Sequence, residues 1–185
     1  MKTLKALDPA QAGEKTKPLF DEIEKRIHSL PNMIRVMGNS APILKAYMQF
    51  NAAFNETRMP PKLRGLITAY VSELNGCDYT LSIAKALSQR EDIAPEEFEA
   101  ARQGKSDDPK TKSALWFAGK LVQKRGRVSA LDLEDVFNNG FDDEQIVEII
   151  GITALVVYRN YFNLATGAEI DFPLVKAGEP LVVPG

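Results

Sequence analysis

The sequence predicts an all-α fold. Apolar residues recur at helical spacing along most of the chain, short Gly and Pro breaks divide these stretches, and no segment alternates convincingly as a strand does. About seven or eight helices follow, packed helix on helix. The 185 residues suggest one domain over 1–185, with an extended tail at 174–185. A domain of this size removes roughly 70% of its unfolded surface from water, so its core needs neither a metal nor a disulfide.

Phe20, Ile23, Ile27 and Leu30 form the first stripe, which Pro31 ends. Ile43 to Asn55 forms the next, with Leu44, Tyr47, Met48 and Phe54 apolar. From Pro61 to Leu74, the residues Leu63, Leu66, Ile67, Tyr70, Val71 and Leu74 fall on one helical face. Pro60 and Pro61 suit its first turn, where no amide donor is needed, and Asn75-Gly76 stops it. A helix from about Cys77 to Gln89 follows. Ala94-Pro95-Glu96-Glu97 then reads as a helix start, with Phe98 and Ala101 as apolar contacts. Asp108-Pro109 opens a helix to about Arg125. Ser129 caps one at Ala130 to Asn138, with Asp132 as its capping-box partner. Asp142 caps the last long helix, where Ile146, Ile149, Ile150, Thr153, Ala154 and Val157 repeat at helical spacing.

The charge is near balance, with 23 Lys and Arg against 25 Asp and Glu, a net of −2, which argues against a general nucleic-acid binder. One cysteine, Cys77, excludes an intrachain disulfide, a Cys-rich zinc site and a dithiol cycle within one chain. One histidine, His28, excludes a multi-histidine metal site, and its place near a helix end suits a cation there. No phosphate loop or dinucleotide fingerprint appears, and nothing demands a metal or organic cofactor. The opening MKTLKALDPAQAGEK has no apolar signal segment, and no apolar run approaches the ~20 residues that span a bilayer. The expected compartment is the cytoplasm, and no membrane partner is expected.

The segment Ser72-Glu73-Leu74-Asn75-Gly76-Cys77-Asp78-Tyr79-Thr80 carries the chemical potential. A cysteine just after a glycine break, at a helix start, sits near backbone amides whose partial positive charge favours a thiolate. Glu73 and Asp78 oppose that. The competing reading is a small buried hydrophobe, since free cysteine is often buried.

The stretch PPKLRGLITAYVSELNGCDYT from Pro60 to Thr80 resembles the carboxymuconolactone decarboxylase family, more narrowly its alkylhydroperoxidase D-like branch. The likeness continues in Gly126-Arg127-Val128, in FDDEQIVEII from Phe141, in NYFN from Asn160 and in EIDFP from Glu169, covering most of 15–175. It implies an all-helical fold, a homo-oligomer and thiol redox chemistry of the peroxidase, antioxidant type. The family's redox members carry Cys-x-x-Cys, a histidine four residues beyond and a glutamate twelve residues before. The first cysteine matches Cys77. The second falls on Thr80, the histidine on Ala84 and the glutamate on Gly65.

Thr80 cannot resolve a sulfenic acid to a disulfide, and Ala84 and Gly65 cannot carry protons. At most a single-cysteine oxidoreductase remains, with Cys77 as nucleophile and an external thiol as reductant. The alternative is a catalytically silent relative kept as a small-molecule-binding or oligomeric scaffold. Around Cys77, Arg64 is a candidate for holding a thiolate or else a surface salt-bridge residue. Tyr79 is read as packing or bonding in the pocket, and Glu73 as a structural ion-pair partner.

Overall fold

The computed structural model describes residues 4–178. After one 3-10 turn at Pro9–Gln11, nine α-helices and no strand are found among these residues. They are α1 (Lys17–Ile27), α2 (Asn32–Met37), α3 (Ala41–Ala53), α4 (Pro61–Leu74), α5 (Asp78–Leu87), α6 (Pro95–Arg102), α7 (Pro109–Gln123), α8 (Ala130–Asn138) and α9 (Asp143–Thr166). The expected caps are in place. The side chains of Asp108, Ser129 and Asp142 accept the amides of Thr111, Asp132 and Gln145, satisfying donors that a helix start leaves free.

The helix beyond the seven or eight expected is α2. Pro31, read as the end of the first helix, is also the cap of this six-residue one. Met33, Ile34, Val36 and Met37 are all buried, so α2 shows no amphipathic period to detect. Two boundaries also move. The first helix stops at Ile27 because His28 turns left-handed, with φ 55°. The fifth starts at Asp78, with Cys77 as its N-cap.

The centre of the fold is α4, which packs against α5, α6, α7 and α9. Every residue from Gly65 to Glu73 is buried, the pattern of a helix enclosed on all sides. Around it runs the larger apolar cluster, with Ile67, Val71, Phe98, Leu115 and Ile149 fully enclosed. Each such side chain contributes about 1.5–3 kcal/mol of burial. A second cluster joins Phe20, Ile23, Met33, Met37 and Leu44 of α1–α3 to Cys77 and Tyr79, and Ile170 and Phe172 beyond α9 close over it. Cys77 therefore lies at a junction of the N-terminal helices, the α4–α5 turn and the chain's last described segment. Residues 174–178 form no helix, and 179–185, the rest of the expected tail, lie outside the described residues.

Candidate active site

Gly76, at φ +64°, makes the turn that reverses the chain between α4 and α5, and the Cys77 amide then donates to the Ser72 carbonyl at 2.9 Å. This sets the cysteine at the head of α5, as the sequence suggested. Its sulfur makes no capping bond to the first-turn amides. Instead it lies 3.3 Å from Thr80 Oγ1, one turn along α5, and Cys77 is only 1% exposed.

An amide of α9 lies behind this contact. Asn163 of α9 donates Nδ2–H to Thr80 Oγ1 at 3.3 Å and to Met33 Sδ at 3.4 Å. A thioether can only accept, so the amide presents its nitrogen to it. Thr80 then accepts from Asn163, and its hydroxyl can donate to a Cys77 thiolate or use its second lone pair to accept the Cys77 S–H. Asn163 Oδ1 is left buried without a partner among the described residues. Three residues earlier, Asn160 Oδ1 accepts from Ser72 Oγ at 3.1 Å, and its Nδ2 donates to the Val71 carbonyl at 3.3 Å. Two asparagines of α9 thus tie the α4–α5 corner to the long helix.

The chain beyond α9 is strapped across this corner. Tyr79 donates its hydroxyl to Asp171 at 2.7 Å and accepts the Met33 amide at 2.9 Å, while its ring meets Phe172 edge-on. Asp171 also accepts the Asn32 amide at 2.8 Å. Further along, the amides of Val175, Ala177 and Gly178 donate to Ser82 Oγ, Asp78 Oδ1 and Glu73 Oε1 at 2.9, 2.8 and 2.6 Å. Burial pushes the Tyr79 phenol far above its usual range and the Asp171 carboxylate adds to the rise, so this hydroxyl stays neutral. Tyr79 is a fastener here.

Glu73 accepts from Arg102 Nε at 2.7 Å as well as from Gly178, the ion-pair role expected of it. Arg64 donates Nη1–H to the Phe54 carbonyl and makes no ion pair among the described residues. Ala84 is buried in the larger cluster. At Gly65 the structure adds something the sequence did not suggest. A Cβ there would overlap the Glu91 carboxylate and lie 2.6 Å from Ile93 Cδ1. Glu91, from the turn after α5, thus fills the space beside Gly65. Burial raises its carboxyl from 4.5 to about 7, against the pull of Arg64 and Arg159. An acid therefore lies beside Gly65, supplied by another element.

Asn160 and Asn163 are the residues that sequence reasoning missed as site members, and it also missed the placing of Glu91 beside Gly65. The two asparagines left a trace: poor helix formers three apart inside an apolar helix. Glu91 left none, because its meeting with Gly65 depends on how the turn after α5 folds back on α4.

No protein-family model and no curated protein matches the chain. Solved structures do. An uncharacterised peroxidase-related protein from Silicibacter sp. is 22% identical, covers 91% of this chain and 92% of its own, and superposes with a TM-score of 0.79. An alkylhydroperoxidase AhpD core protein from Ralstonia eutropha is 20% identical, with 92% and 94% coverage and a TM-score of 0.79. The debrominase Bmp8, in complex with 2,3,4-tribromopyrrole, is 21% identical, with 92% coverage of both chains and a TM-score of 0.78. Cys77 and its α4–α5 corner are therefore carried on the alkylhydroperoxidase D-like helical fold.

Proposed function

We propose that the protein is a single-cysteine thiol oxidoreductase of the peroxidase type, with Cys77 as nucleophile. The observation that carries this reading is the hydrogen-bonded chain Asn163–Thr80–Cys77, which puts a hydroxyl in reach of the sulfur. The thiolate attacks one oxygen of a hydroperoxide, the O–O bond breaks, and an S–O bond forms. Sulfur loses two electrons, the peroxide is reduced, and the departing alkoxide takes a proton to leave as the alcohol. A small thiol of the cytoplasm, the compartment this reading requires, then displaces water from the sulfenic acid. A second thiol releases Cys77 and leaves as the disulfide. Thr80 holds the position of a resolving thiol without being one, so both reducing equivalents come from outside. The reading assigns no metal or organic cofactor. The test is hydroperoxide consumption with dithiothreitol present, in the native protein and in Cys77→Ser. Turnover that disappears with Cys77 supports the reading; equal rates in both, or none in either, overturn it.

The near-complete burial of Cys77, in the apolar cluster that Ile170 and Phe172 pack against, favours a second reading, a silent scaffold of the same fold. Absence of turnover together with an inert Cys77 selects it.

Either reading includes a homo-oligomer. Val147, Ile150, Tyr161 and Leu164 stand exposed along α9, with Val147 66% and Tyr161 60% accessible. A second copy of this chain is the proposed cover, and Tyr161→Glu is expected to lower the mass measured by light scattering. An unchanged mass removes α9 as the contact. No helix among the described residues is long and apolar enough to cross a membrane.

A further inference from the structure

A groove of about 1020 Å³ opens between the N-terminal turns of α4, α6, α7 and α9. It lies at the other end of α4 from Cys77, some 20 Å away at 1.5 Å per residue. Its apolar surface comes from Met59, Leu63, Leu66, Ala101 and Phe141. Glu148 of α9 also lines it and is 8% exposed. Glu148 Oε1 accepts the Arg58 amide at 2.8 Å, while Oε2 is buried with no hydrogen-bond partner among the described residues. Leaving such an oxygen unpaired costs its full desolvation, and a ligand donor relieves that cost.

The cations around the groove do not supply that donor. Lys62 is paired with Glu97 at 2.7 Å, and Arg58 with Asp142 and Glu144 at 2.6 and 3.1 Å. Lys110 donates to the Gly140 carbonyl at 2.6 Å and lies over the Phe141 ring. Lys105 rests on Gln103 at 2.9 Å, and Lys112 lies over the Trp116 ring. The buried group still lacking a partner is an acceptor, and it stands beside an apolar wall.

We propose that this groove binds a small amine with an apolar body, its ammonium donating to Glu148 Oε2 and its hydrocarbon part resting on Leu63, Leu66 and Phe141. Movement of the flexible Arg58 and lysine side chains admits the amine. The site is independent of the thiol chemistry, so its failure and that of the oxidoreductase reading are separately visible.

The test is calorimetric titration of the full chain with hexylamine, hexan-1-ol and hexanoate. Hexylamine is expected to bind at least tenfold more tightly than the other two. Glu148→Gln keeps an oxygen for the Arg58 amide but fills the vacant acceptor position with its own NH2 group, and should remove that tenfold advantage. Ala100→Phe, which fills the groove and leaves Glu148 in place, should abolish binding and serves if the first variant fails to fold. Hexanoate binding more tightly, equal binding of all three, no binding up to about 10 mM, or hexylamine affinity unchanged in either folded variant overturns the proposal.

Discussion

The two ends of α4 differ in access and in chemistry. At the Leu74 end, the one sulfur of the chain is enclosed, its neighbours are bonded to one another, and the last described segment is fastened over them. At the Pro61 end, an open groove is lined by many charged side chains and by no cysteine. The fold thus keeps its one cysteine sulfur and this groove at opposite ends of one enclosed helix. The sulfur is enclosed as a whole, whereas the groove is open and only the Glu148 Oε2 in its wall is buried.

The sharpest way to break this contrast is to remove the strap. Deleting 169–185 takes away Asp171, Phe172 and the amides held by Ser82, Asp78 and Glu73. Modification of Cys77 by a thiol reagent under native conditions is expected to accelerate about 100-fold, the equivalent of some 2.7 kcal/mol of local opening. Circular dichroism checks that the helices persist. An unchanged rate in a folded protein means that the strap does not control access.

A smaller effect is expected at the hydroxyl behind the sulfur. Thr80→Val keeps the shape but removes the donor to Cys77 and the acceptor of Asn163, and peroxide turnover should fall about tenfold with a loss of ~1–3 kcal/mol of stability. Thr80→Ser should restore both. If valine and serine behave alike, the hydroxyl does not serve the sulfur.

The smallest effect concerns Glu91 beside Gly65. Its carboxyl is raised from 4.5 to about 7, mainly by burial, so the folded state holds its proton where the unfolded chain has released it. The corresponding stability is fully present below about pH 4.5 and is lost as pH rises through 7. Glu91→Gln should flatten that decline, leaving the variant relatively more stable at pH 8 by about 1 kcal/mol, since solvent screens this half-buried group. Melting temperatures at pH 4.5 and pH 8 measure it. A difference independent of pH contradicts the assignment.

Most helices were legible because amphipathic spacing, caps and glycine or proline breaks act within a few residues of one another. Asp108, Ser129 and Asp142 cap as their sequence positions suggested, and the α4 stripe fell where it was expected. The helix at Asn32–Met37 was not legible, since it is short and apolar nearly all round. Cys77 at a helix head was readable from Asn75-Gly76, but the partner of its sulfur was not, because Asn163 and Met33 reach Thr80 from elements far away in sequence.

By itself the sequence determined the helical architecture, the presence of a single cysteine and the residues Gly65, Thr80 and Ala84 at their spacings from it. These are properties of local spacing and residue identity. Only the tertiary structure decided that Glu91 fills the space beside Gly65, that the segment after α9 is fastened to the α4–α5 corner and that Glu148 lines an open groove. Each is a contact between distant segments, set by how enclosed helices pack around α4, and such packing leaves no period for a linear reading to detect.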